Sequence, residues 1–148
     1  KKRSFEQIRT DLDGILAHFV GTHSFHNFTR PTRVGETGLK RYIISSTTHP
    51  SLIQIGSRSF IRVHFDGQSF ILHQIRKMVS MAVLVLLGWV ESTEQTIALD
   101  PKVRRNVSPV PAAGLCLDNV FFDYFNTRFV GRGNLEKNVT FDYYRSEK

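Results

Sequence analysis

Gly67-Gln68-Ser69-Phe70-Ile71-Leu72-His73-Gln74-Ile75-Arg76-Lys77-Met78-Val79 opens the longest apolar stretch of the chain. Wound at about 3.6 residues per turn, the segment from about Ser69 to Gly88 reads as a helix with two adjoining apolar faces. Ile71, Ile75, Met78, Ala82 and Leu86 make the first, and Leu72, Val79, Val83 and Leu87 make the second. Arg76 falls on the second face, while His73, Lys77 and Leu84 lie on the opposite side. A guanidinium keeps its charge, because its pKa lies above about 12. On an apolar stripe it must either extend to water or meet a carboxylate. The run Met78 to Val90 is interrupted only by Ser80 and Gly88. It falls short of the roughly 20 residues that cross a bilayer, and reads as a buried core helix.

Upstream, residues 4–20 place Phe5, Ile8, Leu12, Ile15, Leu16 and Phe19 at helical spacing. Ser4 with Gln7 three residues on is a capping-box pair, and Gly21 is the expected stop. In Gly21-Thr22-His23-Ser24-Phe25-His26-Asn27-Phe28-Thr29 the i, i+3 spacing of Phe25 and Phe28 lets a short helix bury both rings. His23 and His26 share that spacing, but no third metal ligand stands near them. Residues 30–41 form a loop with Arg30, Arg33, Lys40 and Arg41 against one acid, Glu36. That balance suits phosphate contact, while the segment by itself reads first as a solvated surface loop.

Arg41–Thr48 and Ser59–Phe65 read as strands, and Asp66-Gly67 turns the second into the helix. Residues 91–100 form a short helix ended by Asp100-Pro101, and Val103–Pro111 is a basic loop. Leu115–Phe122 reads as a third strand. Because strands and helices do not alternate, the pattern predicts an α+β fold with a mostly antiparallel sheet and helices packed on one face. Residues 1–148 are expected to form a single domain, with about 126–148 a peripheral tail.

The 41% hydrophobic content and twelve Phe suffice for a packed core. A net charge of +7 favours a polyanionic partner. Cys116 is the only cysteine, so neither an internal disulfide nor a cysteine-built zinc site is available. No apolar core follows Lys1-Lys2-Arg3-Ser4, so no secretory signal is expected, and the start at Lys1 in place of Met leads us to expect an excised piece of a longer protein. Gly131-Arg132-Gly133 is too short for a phosphate loop, and no Gly-x-Ser-x-Gly elbow occurs.

The blocks GTHSFHNFT (21–29) and GQSFILHQIRKMV (67–79), in this order and spacing, resemble the eukaryotic branch of the TruA-type tRNA pseudouridine synthases. Pro111-Ala112-Ala113-Gly114-Leu115-Cys116-Leu117 resembles that family's closing segment more weakly. The resemblance implies half of a pseudouridine synthase fold, acting on tRNA or other structured RNA with no metal, no organic cofactor and no membrane. It implies a catalytic Asp in a Gly-Arg-Thr-Asp motif, paired with a helical Arg that corresponds to Arg76. None of the seven Asp residues of this chain lies in such a motif. The resemblance therefore places the Asp in an N-terminal half of the same polypeptide, makes this chain the C-terminal half, and leads us to expect that it is inactive alone.

By the same resemblance Leu115 would line the uracil pocket, with an ordinary strand-core role as the equal alternative. His73 and Lys77 would face substrate, and Arg30, Arg33, Arg41, Arg104 and Arg105, with Lys77, would grip flanking phosphates. The eukaryotic branch suggests the nucleus or mitochondrion. Two further readings stay open: a non-catalytic basic RNA-binding module, and an assembly domain whose apolar helix docks a partner.

Overall fold

The structure, a computed structural model, describes residues 3–31 and 36–129. They belong to two compact units, Lys1–Ala112 and Ala113–Lys148. The first unit opens with α1 (Phe5–Ala17). Its start is the capping box read from the sequence: Gln7 N donates to Ser4 Oγ at 3.3 Å and Ser4 N to Gln7 Oε1 at 3.0 Å. Leu12 and Leu16 of α1 are buried. The helix ends before the expected Gly21: His18, Phe19 and Val20 donate to Ile15, Leu16 and Ala17 in a tightened last turn. Gly21 instead starts β1 (Gly21–Ser24) at φ +104°, a left-handed conformation that favours glycine.

A three-stranded antiparallel sheet has the order β1, β2 (Lys40–Thr48), β5 (Val63–Gly67). In β2 the inward residues are Ile43, Ser46 and Thr48, three and then two apart. The β-bulge between Ile43 and Ser45 resets the alternation, and β2 packs against α1. Tyr42 and Ile44 on the opposite face are exposed. Asp13 of α1 fixes the far end of β2, accepting from Thr48 N at 2.7 Å and Thr48 Oγ1 at 2.8 Å.

The sequence reading of Ser59–Phe65 as one strand is corrected. The chain forms a separate hairpin, β3 (Ile53–Ile55) and β4 (Arg58–Phe60), and resumes pairing with β2 only at Val63. The period-two pattern runs through both strands, so it hid the break. Leu115–Phe122 is not a strand: a single 3-10 turn (Ala112–Gly114) is followed by irregular chain, then α4 (Asp123–Phe129). Its apolar residues are mostly exposed, which removes the burial that makes an apolar run a strand. The short helix near 91–100 is α3 (Thr93–Leu99), and it ends at Asp100 as expected. Helices with an antiparallel sheet give the α+β class read from the sequence.

The core lies where α1, the 25–29 turn and α2 (Gln74–Leu86) meet. Phe19, Phe25 and Phe28 are fully buried, with ring centroids 5.5 Å (Phe19–Phe28) and 5.8 Å (Phe25–Phe28) apart, both pairs edge-to-face. Such pairs add about 0.5–1.5 kcal/mol beyond area burial. The expected joint burial of Phe25 and Phe28 is thus met by a turn, closed by Phe28 N to Phe25 O at 2.8 Å, without a helix. No helix among the described residues is long and apolar enough to cross a membrane.

Thr48 is buried, so removing the Asp13 carboxylate strands two donors. Asp13→Ala is expected to lower stability by about 1–3 kcal/mol, read as a lower urea midpoint. An unchanged midpoint would show that the Asp13–Thr48 link is dispensable.

Candidate active site

The element that carries Arg76 starts later than its sequence suggests. Gly67 still pairs with Ile43 at the end of β5, and Gln68 N donates to Tyr42 O at 3.1 Å. A Cβ on Gly67 would stand 2.9 Å from the Phe70 ring and 3.2 Å from Tyr42 O, so only glycine lets Phe70 fold back over the strand end. Residues 68–73 are connector, and His73 takes a left-handed φ of +65° as the residue before α2. The helix expected from Ser69 therefore begins at Gln74, whose Oε1 accepts from Ile71 N of the connector at 2.9 Å.

That start determines which side chains face inward. Gln74, Lys77, Met78, Met81 and Ala82 are buried. Leu72, Val83 and Leu87, from the face expected to hold Arg76 in apolar surroundings, are exposed. Lys77, expected on the outer side as a substrate and phosphate contact, is 8% exposed. Its Nζ donates to Thr29 O and, at 3.4 Å, to Asn27 O. The reason is non-local: the 25–29 turn presents the carbonyls of Asn27 and Thr29 to α2, where the Lys77 ammonium meets them. Burial without a carboxylate lowers the Lys77 pKa.

Asn27 is the residue that sequence reasoning missed. Its Nδ2 donates to Ala98 O and Val103 O, both at 2.9 Å, and its Oδ1 accepts from Arg105 N at 3.0 Å. His26 Nε2 adds a contact to Val103 O at 2.8 Å, and its Nδ1 meets Ser24 Oγ at 3.0 Å. His23 Nε2 meets Val20 O at 2.9 Å. Both histidines are thus engaged by the chain itself, and no cluster of three metal-ligating side chains occurs among the described residues.

The loop held by Asn27 reaches Arg76. Arg76 Nε donates to Val110 O at 2.7 Å, and Val110 N donates to Arg76 O at 3.3 Å. This reciprocal pair fixes one edge of the guanidinium. Among the described residues the outer Nη edge has no hydrogen-bond partner, and Arg76 has no ion pair. Arg76 is half-buried beside the uncovered Leu72 and Val83. Its free edge has the fork geometry that matches a carboxylate.

The other expected contact residues are dispersed. Arg30 pairs with Glu36 at 3.0 Å, Arg105 with Glu94 at 2.8 Å, and Arg41 donates to the carbonyls of Gly38 and Lys40. The Arg105–Glu94 pair raises the guanidinium pKa and lowers that of the carboxyl through their hydrogen bond. Arg104 lines a cleft of about 390 Å³ together with Ser24, His26 and Lys40. Arg33 lies outside the described residues. His73 is half-buried at the entrance of α2, and Leu115 is exposed in the second unit.

The sequence pattern of the tRNA pseudouridine synthase family matches residues 15–123. A mouse protein named pseudouridylate synthase 1 homolog is 38% identical over 123 residues, covering 82% of this chain and 28% of the relative. The Saccharomyces cerevisiae tRNA pseudouridine(27/28) synthase is 34% identical over 117 residues, covering 79% and 30%. The Candida albicans tRNA pseudouridine synthase 1 is 34% identical over 119 residues, covering 77% and 18%. The chain belongs to the tRNA pseudouridine synthase family. It spans less than a third of the length of these relatives.

Lys77 yields a prediction of sign. In the unfolded chain it holds its proton up to the usual 10.5, whereas in the fold it releases it earlier. Between those two values the unfolded state binds more protons, so raising pH stabilises the native state. Lys77→Met keeps the apolar stem and removes both the titration and the donor. Paired urea titrations are expected to show the wild type gaining on Lys77→Met as pH rises toward 10.5. A constant difference across that window would contradict the burial of the ammonium.

Proposed function

We propose that this chain is the C-terminal half of the catalytic fold of an enzyme that isomerises uridine to pseudouridine in tRNA. In this reading Arg76 orients the catalytic Asp, which the remainder of the polypeptide supplies. The observation that carries the reading is the state of Arg76: one guanidinium edge is anchored on Val110, and the other has no partner among the described residues. Two findings support it: family membership, and a chain much shorter than its relatives. The exposed Leu72, Val83 and Leu87 give the incoming half an apolar bed around the pair.

The chemistry asks for such a pair. Isomerisation breaks the N1–C1′ bond, turns the uracil and joins C5 to C1′, with the C5 proton released and N1 taking up a proton from water. The Asp must be ionised and held at a fixed angle to the ribose. A guanidinium facing it favours the charged form and locks its plane through two parallel N–H···O bonds. Anchorage on Val110 keeps the guanidinium from following solvent, so the carboxylate is positioned before substrate arrives. The target base must leave the RNA stack to reach the site, at a cost of a few kcal/mol.

The test uses the full-length protein and tritium release from tRNA transcribed with C5-labelled uridine. Arg76→Lys keeps the charge but not the fork. It is expected to lose about 100-fold in turnover, the scale of removing one preorganised donor, with tRNA affinity nearly unchanged. Wild-type turnover in Arg76→Lys and Arg76→Ala would reject the pairing. The isolated 148-residue chain is expected to release no tritium, and release by it would place the catalytic group within this sequence.

A further inference from the structure

The β3–β4 hairpin belongs to no part of the site described above. It closes through Gly56-Ser57, with Gly56 at φ +60°, the left-handed conformation that tight hairpin turns require. Ile53 pairs with Phe60 and Ile55 with Arg58, so these four side chains share one face. Gln54 and Ser59 share the other, where their side chains hydrogen-bond to each other at 2.8 Å. Every residue from Ser51 to Phe60 is exposed, including Ile53, Ile55 at 64% and Phe60 at 43%. At its base the hairpin is fixed by His49 N donating to Arg62 O at 2.8 Å and by Ile61 and Val63 against the core.

Charge identifies what this face fits. Between Glu36 and Asp66 the sequence contains no Asp or Glu, and four cations: Lys40, Arg41, Arg58 and Arg62. Arg58 and Arg62 are exposed, and neither makes an ion pair or side-chain hydrogen bond among the described residues. They differ in this from Arg30 and Arg105, whose charges are met by Glu36 and Glu94. An apolar partner would bury Ile53, Ile55 and Phe60 but leave Arg58 among them without a counter-charge. A strand with unpaired bases satisfies both: a base stacks on the aromatic and aliphatic plate, and its flanking phosphates meet the guanidinium groups.

We infer that the β3–β4 hairpin is a second RNA contact, distinct from the Arg76 site, on which Phe60 and its Ile neighbours stack an unpaired base while Arg58 and Arg62 bind the adjoining phosphates. The inference rests on the RNA-directed reading above and adds where on the chain a loop or other unpaired segment of the substrate is gripped.

Full-length protein with an unmodified tRNA transcript, followed by fluorescence anisotropy across a KCl series, tests it. Arg58→Gln with Arg62→Gln is expected to weaken binding and to make the slope of log affinity against log salt shallower by about 1.5, the value for two phosphate contacts. Phe60→Ala is expected to weaken binding about tenfold with the slope retained, and Phe60→Tyr to bind as wild type. A fully double-stranded RNA competitor, which offers no open base face, is expected to bind wild type and Phe60→Ala alike. Variants that keep wild-type affinity and slope, while wild type binds the transcript and forms pseudouridine, overturn the hairpin contact alone. So does a change of oligomeric state on sedimentation with RNA affinity untouched, which assigns the face to a second copy. Failure of the wild type to bind the transcript or form pseudouridine overturns the functional reading itself.

Discussion

The 25–29 turn is buried, and α2, the end of α3 and the loop that follows it supply partners for its polar groups. Asn27 meets Ala98, Val103 and Arg105 through its side chain, and its carbonyl, with that of Thr29, receives the Lys77 ammonium. A buried polar group left unpaired costs about 1–3 kcal/mol, so each partner is constrained to its position. The loop after α3 is thereby drawn across α2, and the same loop carries Val110 to Arg76. The placement of a surface guanidinium thus descends from the hydrogen-bonding needs of a buried turn some fifty residues earlier in the chain.

Local signals in the sequence were legible where the deciding interaction was also local. Ser4 and Gln7 cap α1 as their spacing indicates, Phe25 and Phe28 are buried together, and Asp100 ends α3. The sequence failed where partners lay far away. Lys77 reads as an outer residue from periodicity alone, because its acceptors on Asn27 and Thr29 are invisible to a helical wheel. Phe70-Ile71-Leu72 matches helical spacing, so the sequence pattern extends α2 further toward its N-terminus than the fold does. Close packing of Phe70 on Gly67 and the left-handed His73 impose a connector instead. The apolar run 115–122 has strand composition without strand burial. At Arg76 the sequence shows a charge on an apolar stripe, and its anchor on Val110 lies 34 positions away, beyond the reach of any local pattern.

The electrostatics of the chain shift in the same way once partners are known. Basic loops suggested Arg30, Arg41 and Arg105 as the phosphate grip, yet these donate to Glu36, to loop carbonyls and to Glu94. Composition alone cannot distinguish a cation engaged by its own fold from one that is not. The acid-free stretch between Glu36 and Asp66 is a longer-range pattern, and it coincides with the hairpin that projects its side chains into solvent.

The central claim is that the open edge of Arg76 is completed by a carboxylate from outside this chain. A crystal structure of the full-length protein measures this directly. The account predicts an Asp from beyond residues 1–148 bonded to the Arg76 Nη groups at about 2.7–2.9 Å, the range of charge-assisted pairs, with Nε still on Val110 O. An Arg76 guanidinium paired with an acid of this same chain, or left in solvent with no carboxylate facing it, would contradict it.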